Sequence, residues 1–401
     1  MKVLFLSSDS PLPIIDGMRL RTYHLLSRMA QKHEITLLSF YRSIEDQAGL
    51  KQLADLMERT SSIPGVHRSS LMDYVKGSLS PMPFYVERSK SNAMQEIVSW
   101  ELESCHYDLV FVNEMRMAHY VVPYGSVPRV IDAIDAFSNL YRRAFCTAKS
   151  LGRRAHYLQL WLKTQWYETR TYNRFDLCTV VSPVDAVVLR KNIPDLNVAV
   201  VPNGVDVSYF HPAEAVSEDN NTLVFVGVMD YPPNIDAVQY FANDILPLVR
   251  QKVPSVRFLV VGRNGSLEAL GLQNTNDIEV TGAVPDIRAY VWQSAVFVCP
   301  MQFTSGVKNK VLEAMAMAKP VVGTPLAYEG LDVVPGEHVL SASTAQGFAD
   351  SIVDLLSRRQ RRVEIGRKAR ELVERRYSWQ TAGDQLDVLL QMTAAEWRKR
   401  H

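Results

Sequence analysis

The 401-residue sequence has no uninterrupted apolar run long enough for a spanning helix, only four cysteines, and a formal net charge of +1. Because a bilayer-crossing helix needs about 18 or more such residues, any membrane association is expected to be peripheral. Cys105, Cys146, Cys178 and Cys299 lie far apart. Their spacing suits neither a zinc site, a redox pair nor a disulfide framework, so a reducing, cytoplasmic compartment is expected. The balance of 44 Lys plus Arg against 43 Asp plus Glu gives no strong overall positive field, which argues against a nucleic-acid partner. Internal repeats, low-complexity tracts and divalent-metal motifs are all lacking, and no metal or resident cofactor is expected. The run Met1 to Ser7 is too short for a secretory signal, with Asp9 close behind, and reads as a buried first strand.

What is present is ample core material. A 47% hydrophobic share over 401 residues exceeds what one ordinary core needs, and two domains are expected. In the first half, Val3 to Leu6, Glu34 to Phe40, Asp108 to Val112, Arg129 to Ile131 and Leu177 to Val181 read as strands, separated by segments of helical spacing such as Leu25, Leu26, Met29 and Ala30. The pattern pauses at Val201-Pro202-Asn203-Gly204-Val205-Asp206 and the polar run around Ser217 to Asn221. It restarts with Thr222 to Gly227, Val256 to Gly262, Ile278 to Thr281, Val296 to Cys299 and Pro320 to Gly323 as strands, and helices from Asn234, Asp286 and Gly306. A last helix is expected from Trp379 to Arg398. This alternation predicts an α/β protein of two Rossmann-like, doubly wound parallel sheets. Such sheets bind ligands beyond the carboxyl ends of their strands, which directs attention to residues just after strands and to a cleft between the two halves.

Ser305-Gly306-Val307-Lys308-Asn309-Lys310-Val311-Leu312-Glu313 follows one such strand. Ser305 is expected to cap a helix whose free amides at Gly306 would receive an anion. Lys310 and Glu313 share a helical face, which suits a diphosphate followed by ribose hydroxyls. The plain alternative is a surface pair. The loop Pro13 to Arg21 into the first helix offers Gly17 for close approach of a donor phosphate, a weak signal by itself.

Val181-Ser182-Pro183, Val201 to Asp206, Val224-Phe225-Val226-Gly227, Val260-Val261-Gly262-Arg263, Thr281-Gly282-Ala283-Val284-Pro285-Asp286 and Lys310 to Val322 together resemble family 4 glycosyltransferases of the GT-B fold. Met229 to Asn234 resembles a stretch of bacterial enzymes associated with exopolysaccharide or sorting-linked cell-envelope glycosylation. The resemblance implies a nucleotide-sugar donor, held by a C-terminal domain over 201–376. It also implies a glycan or lipid-linked acceptor, held by an N-terminal domain over 1–200 and joined by a returning helix over 377–401. Retention of anomeric configuration and metal independence are further expectations. Glu313 maps onto the family's ribose-binding glutamate. Two departures stand out: Ser305 replaces an earlier glutamate, and Val228 and Met229 follow Gly227 where relatives carry cations. Lys308 and Lys310 are the expected replacements, with Arg263, Arg19 and Arg21 in reserve.

Asp132 and Asp135 follow the Arg129 to Ile131 strand. Asp135 is the preferred catalytic candidate, steadying the transferred sugar or positioning the acceptor hydroxyl. Helix capping by these acids is the alternative, and Glu114 is a weaker candidate. Between 139 and 175, Arg142, Arg143, Lys149, Arg153, Arg154, Lys163, Arg170 and Arg174 face one acid, Glu168, with Tyr157, Trp161, Trp166 and Tyr167 interleaved. This segment reads either as a peripheral contact at the inner membrane face or as an amphipathic helix with its aromatics in the core. A nucleotide-sugar epimerase of the same fold and an inactive binding module are the alternative functions.

Overall fold

A computed structural model describes the chain except for residues 66–79, 149, 214–217, 269, 273–276 and 304–305. Ser305, Lys149 and Ser217 therefore lie outside the described residues. The chain forms two compact units, one of Met1–Pro202 with Ala382–His401, the other of Asn203–Thr381.

The first unit holds strands β1 (Lys2–Ser7), β2 (Glu34–Tyr41), β3 (Arg59–Pro64), β4 (Leu109–Asn113), β5 (Arg129–Ile134), β6 (Leu177–Val180) and β7 (Val198–Val200). They lie in the order β3-β2-β1-β4-β5-β6-β7, and every pairing is parallel. Val3, Leu4, Phe5 and Leu6 are fully buried, as a strand covered on both faces requires. Strand order reverses between β1 and β4. The second unit holds β8 (Asp219–Val226), β9 (Arg257–Val261), β10 (Ile278–Gly282), β11 (Ser294–Cys299), β12 (Val321–Gly323) and β13 (Leu340–Ser341). These are ordered β10-β9-β8-β11-β12-β13, again all parallel, with the reversal between β8 and β11.

The terminal helix Trp379–Arg400 begins in the second unit and ends in the first. Val205 N–H donates to the Tyr377 carbonyl at 2.7 Å, and residues 377–381 belong with the second unit rather than, as expected, with the first. Gly204 has no side chain because the Trp379 backbone would lie 2.5 Å from its Cβ. Further along, Gly383 admits the Arg28 side chain. Lys32 then bonds Asp384 and Asp387 at 2.8 and 2.9 Å, and His33 meets Asp387 at 2.8 Å. These contacts, with buried Leu386, Leu390 and Ala394, fix the helix on the first unit.

Candidate active site

In the second unit the reversal point sets the end of β8 beside the segment that follows β11. Gly227 directly follows β8 and Gly262 directly follows β9, and both glycines are required. A Cβ on Gly262 would sit 1.8 Å from the Gly227 carbonyl oxygen, and its φ of +145° already excludes most side chains. A Cβ on Gly227 would lie 2.7 Å from Asn234 Nδ2 and 2.8 Å from Lys310 Nζ. Lys310 Nζ donates to Asn234 Oδ1 at 2.7 Å and stands 4.2 Å from the centre of the Phe225 ring. Asn234 Nδ2 in turn donates to the Val228 carbonyl at 2.8 Å. The cation that relatives carry just after this glycine is absent, yet a lysine reaches the same glycine from the helix after β11.

That helix spans Asn309–Ala316, three residues shorter at its start than expected. Gly306 takes φ +67°, a left-handed conformation that no α-helical residue adopts, so the helix cannot begin there. The cap position falls to Lys308, whose side chain makes no cap bond. Its ammonium instead donates to the Gly306 carbonyl, closing the loop. Asn203 of the turn-rich Val201 to Asp206 stretch donates to Asn309 Oδ1 at 3.2 Å, tying that motif to the helix start.

Lys310 and Glu313 are each half-buried as residues, but their charged groups lie where burial dominates. Burial lowers the Lys310 ammonium to about 8, against the pull of Glu313. It raises the Glu313 carboxyl to about 7, against the pull of Lys310. A buried cation and a partly neutralised acid one helical turn apart gain from a ligand that supplies an anion to the first and hydroxyl donors to the second. Arg263, directly after Gly262, is exposed, and its carbonyl accepts from Met229 N–H at 3.0 Å.

In the first unit the reversal point joins the loop after β1 to the residues after β4. Arg116 donates to Asp9 Oδ2 and Ser8 Oγ at 3.0 Å each and pairs with Glu114. Arg42 pairs with the other oxygen of Asp9 at 2.6 Å. Glu114 is buried at φ +71°, a backbone strain held by its surroundings, as is common at functional sites. Burial raises its carboxyl, with Arg116 opposing. Arg19 and Arg21, expected as spare phosphate ligands, serve the scaffold instead. Arg21 grips Asp132 with two bonds of 2.8 Å, with 1% and 0% of the two side chains exposed. Arg19 donates to Asp46 at 2.6 Å. Gly17 opens its helix behind Asp16, whose carboxylate accepts from Arg19 N–H at 2.9 Å, so a negative group already occupies that helix start.

Asp135 lies half-buried just past β5, where Ile134 takes φ +66°. The cap residue of the following helix, Phe137–Thr147, is Ala136, which offers no side-chain bond to cap it. Distant acids do so: Glu168 Oε1 accepts from Ser138 N–H at 3.1 Å and Asp185 Oδ1 from Ala136 N–H at 3.2 Å. The loop bearing Asp135 is therefore anchored from two other helices. Burial raises the Glu168 carboxyl from about 4.5 to about 7. Its stabilising contribution is complete below pH 4.5 and is lost as pH rises through 7, a span of about 3 kcal/mol. Glu168→Gln keeps the accepting oxygen without the charge. It is expected to raise Tm at pH 8 by several degrees, with the gain shrinking toward pH 5; a gain independent of pH would contradict this account.

Sequence reasoning missed Asn234, the Gly227–Gly262 contact, Glu168 and the Arg116 cluster. Only Asn234 carried a local signal, two prolines opening a helix immediately before it.

Residues 15–209 match the family described as Glycosyltransferase Family 4, and residues 220–358 that described as Glycosyl transferases group 1. An uncharacterised 44.6 kDa protein in the cps region of Klebsiella pneumoniae is 22% identical over 388 residues, covering 94% of this chain and 96% of that protein. Sucrose-phosphate synthase from Thermosynechococcus elongatus superposes over 99% of this chain and 100% of its own, with a TM-score of 0.74 at 16% identity. Anabaena Alr3699/HepE in complex with UDP and glucose superposes over 98% and 100%, with a TM-score of 0.63 at 16% identity.

Proposed function

From the premise that this chain is a glycosyltransferase of GT-B fold, built of a family 4 and a group 1 module, we propose that it transfers a sugar from a nucleoside-diphosphate sugar to an acceptor hydroxyl. The observation that carries this reading is the buried Lys310 ammonium, 2.7 Å from Asn234 and set against Gly227 at the end of β8. When the bond between the anomeric carbon and the diphosphate breaks, negative charge grows on the leaving oxygens. A cation placed beforehand in a dry pocket stabilises that charge more than water would. Lys310 takes this role, with Lys308, Arg263 and the backbone of Gly306 shaping the loop around it, and no divalent metal is invoked. Glu313, one turn along, accepts hydrogen bonds from the ribose hydroxyls. Asp135 steadies the sugar or orients the acceptor hydroxyl, and transfer proceeds with retention. The HepE complex with UDP and glucose supports the donor class, and the cps-region relative supports a place in polysaccharide or cell-envelope assembly.

The test is incubation of the full chain with UDP-, GDP- and ADP-sugars, with and without glycan and lipid-linked acceptors, followed by mass analysis. Acceptor-dependent release of nucleoside diphosphate with one sugar added to the acceptor is expected. Conversion of the donor's sugar without acceptor would mark an epimerase, and binding without turnover an inactive module. Since Lys310 is charged only below about pH 8, donor affinity is expected to hold up to that pH. Above it, affinity should fall about tenfold per unit; titration calorimetry across pH 7 to 10 measures this.

A further inference from the structure

The helix Leu151–Tyr172 is amphipathic on two sides, and only one side is used. Its inner face carries Thr164, Tyr167, Glu168 and Thr171, all buried. The opposite face presents Leu151, Ala155, Leu158, Leu162 and Trp166, at the steps of four, three, four and four that make one helical stripe. This stripe is open: Leu151 is 84% exposed, Leu158 36%, Leu162 55% and Trp166 39%. Soluble surfaces scatter such residues singly, whereas a continuous row marks a contact. Arg154 flanks the stripe on one side, Arg170 and Lys163 on the other, and the Arg170 guanidinium lies 4.9 Å from the centre of the Trp166 ring. The acid of this helix, Glu168, points inward to Ser138, so the charges that the helix itself sets beside the stripe are all positive. Of the segment's two neighbouring aromatics, Tyr167 lies in the core and Trp166 outside it. No described helix is long and apolar enough to cross a membrane.

We infer that this face rests on an anionic lipid surface, with Leu151, Leu158, Leu162 and Trp166 entering the headgroup boundary and Arg154, Lys163 and Arg170 meeting lipid phosphates. Apolar rows flanked by bases suit that setting because the two attractions act at the same depth. A partner protein's groove would leave the flanking bases without matching charge. The inference is independent of the donor chemistry.

The experiment is flotation of the full chain with vesicles of equal parts phosphatidylglycerol and phosphatidylcholine, against phosphatidylcholine alone. Binding at least about tenfold stronger to the anionic vesicles is expected, weakening with added salt. A Leu158→Glu, Leu162→Glu double variant should lose binding by tenfold or more, and an Arg154→Gln, Lys163→Gln variant should lose about fivefold per base. Both should keep the wild-type nucleoside-diphosphate affinity, and the leucine variant should also keep the wild-type Tm, since Leu158 and Leu162 are exposed. Equal binding to neutral vesicles, or indifference to both double variants, would overturn the inference. So would light scattering that reveals a dimer dispersed by the Leu158→Glu, Leu162→Glu change without any vesicle binding.

Discussion

Lys310→Met is expected to lower turnover by about a hundredfold to a thousandfold and to weaken nucleoside-diphosphate binding by tens of fold, because a charge-assisted bond in a water-poor site contributes about 2–3 kcal/mol. The substitution keeps the apolar stem against Phe225 and removes the ammonium. Its effect on stability runs the other way. Burial holds the folded pKa of Lys310 near 8, below its ordinary 10.5, so the unfolded chain binds the extra proton between these values and stability rises with pH across that window. At pH 7 the wild type therefore bears the full cost of a buried charge. The methionine variant is expected to melt at the same temperature or higher while being nearly inactive. Glu313→Ala should likewise weaken donor use while leaving the fold intact. Wild-type turnover in both variants would remove these residues from the site.

The second large effect belongs to Gly262→Ala. One added methyl would meet the Gly227 carbonyl oxygen at 1.8 Å, at a backbone φ of +145°. Neither atom is the free end of a side chain, so the ends of β8 and β9 must separate. A loss of about 3 kcal/mol or more is expected, roughly 6–12 °C in Tm for a unit of this size. Donor binding should fall as well, since Gly227 moves with β8 and its fit against Lys310 is lost. Thermal melting with a parallel binding assay checks both. Gly336→Ala serves as a control: its φ is +86° but its Cβ would meet nothing within 4 Å, so it should cost stability without touching the donor.

Much of this architecture could be read from residue order. β1, Lys-Val-Leu-Phe-Leu-Ser, is apolar because both of its faces are covered. β3, Arg-Thr-Ser-Ser-Ile-Pro, escaped notice because it lies at the edge of its sheet with none of its residues fully buried. Backbone pairing to β2, rather than side-chain burial, creates it. β7 and β13 are three and two residues long, too short for any periodicity to register. Within the site, the Lys310–Glu313 pair was legible because three-residue spacing on a helix is a local rule. Asn234 and Gly262 join them only through the sheet order that lays β8 between β9 and β11, and nothing local encodes that order. The same limit misassigned Arg19 and Arg21. Both look like free cations in sequence, but folding brings Asp46 and Asp132 from 27 and 111 residues away to neutralise them. The three-residue error at the start of the Asn309 helix has a simpler source: Ser-Gly resembles a cap and first turn, whereas the glycine is there for its left-handed backbone.

The most direct measurement is calorimetric titration of UDP, GDP and ADP, each alongside its parent nucleoside, into the wild type, Lys310→Met and Glu313→Ala. At least one diphosphate should bind the wild type far more tightly than its nucleoside, Lys310→Met should abolish most of that difference, and Glu313→Ala should weaken nucleoside and diphosphate alike. A diphosphate that binds the wild type and Lys310→Met with equal affinity would contradict the placement of the phosphates at Gly227.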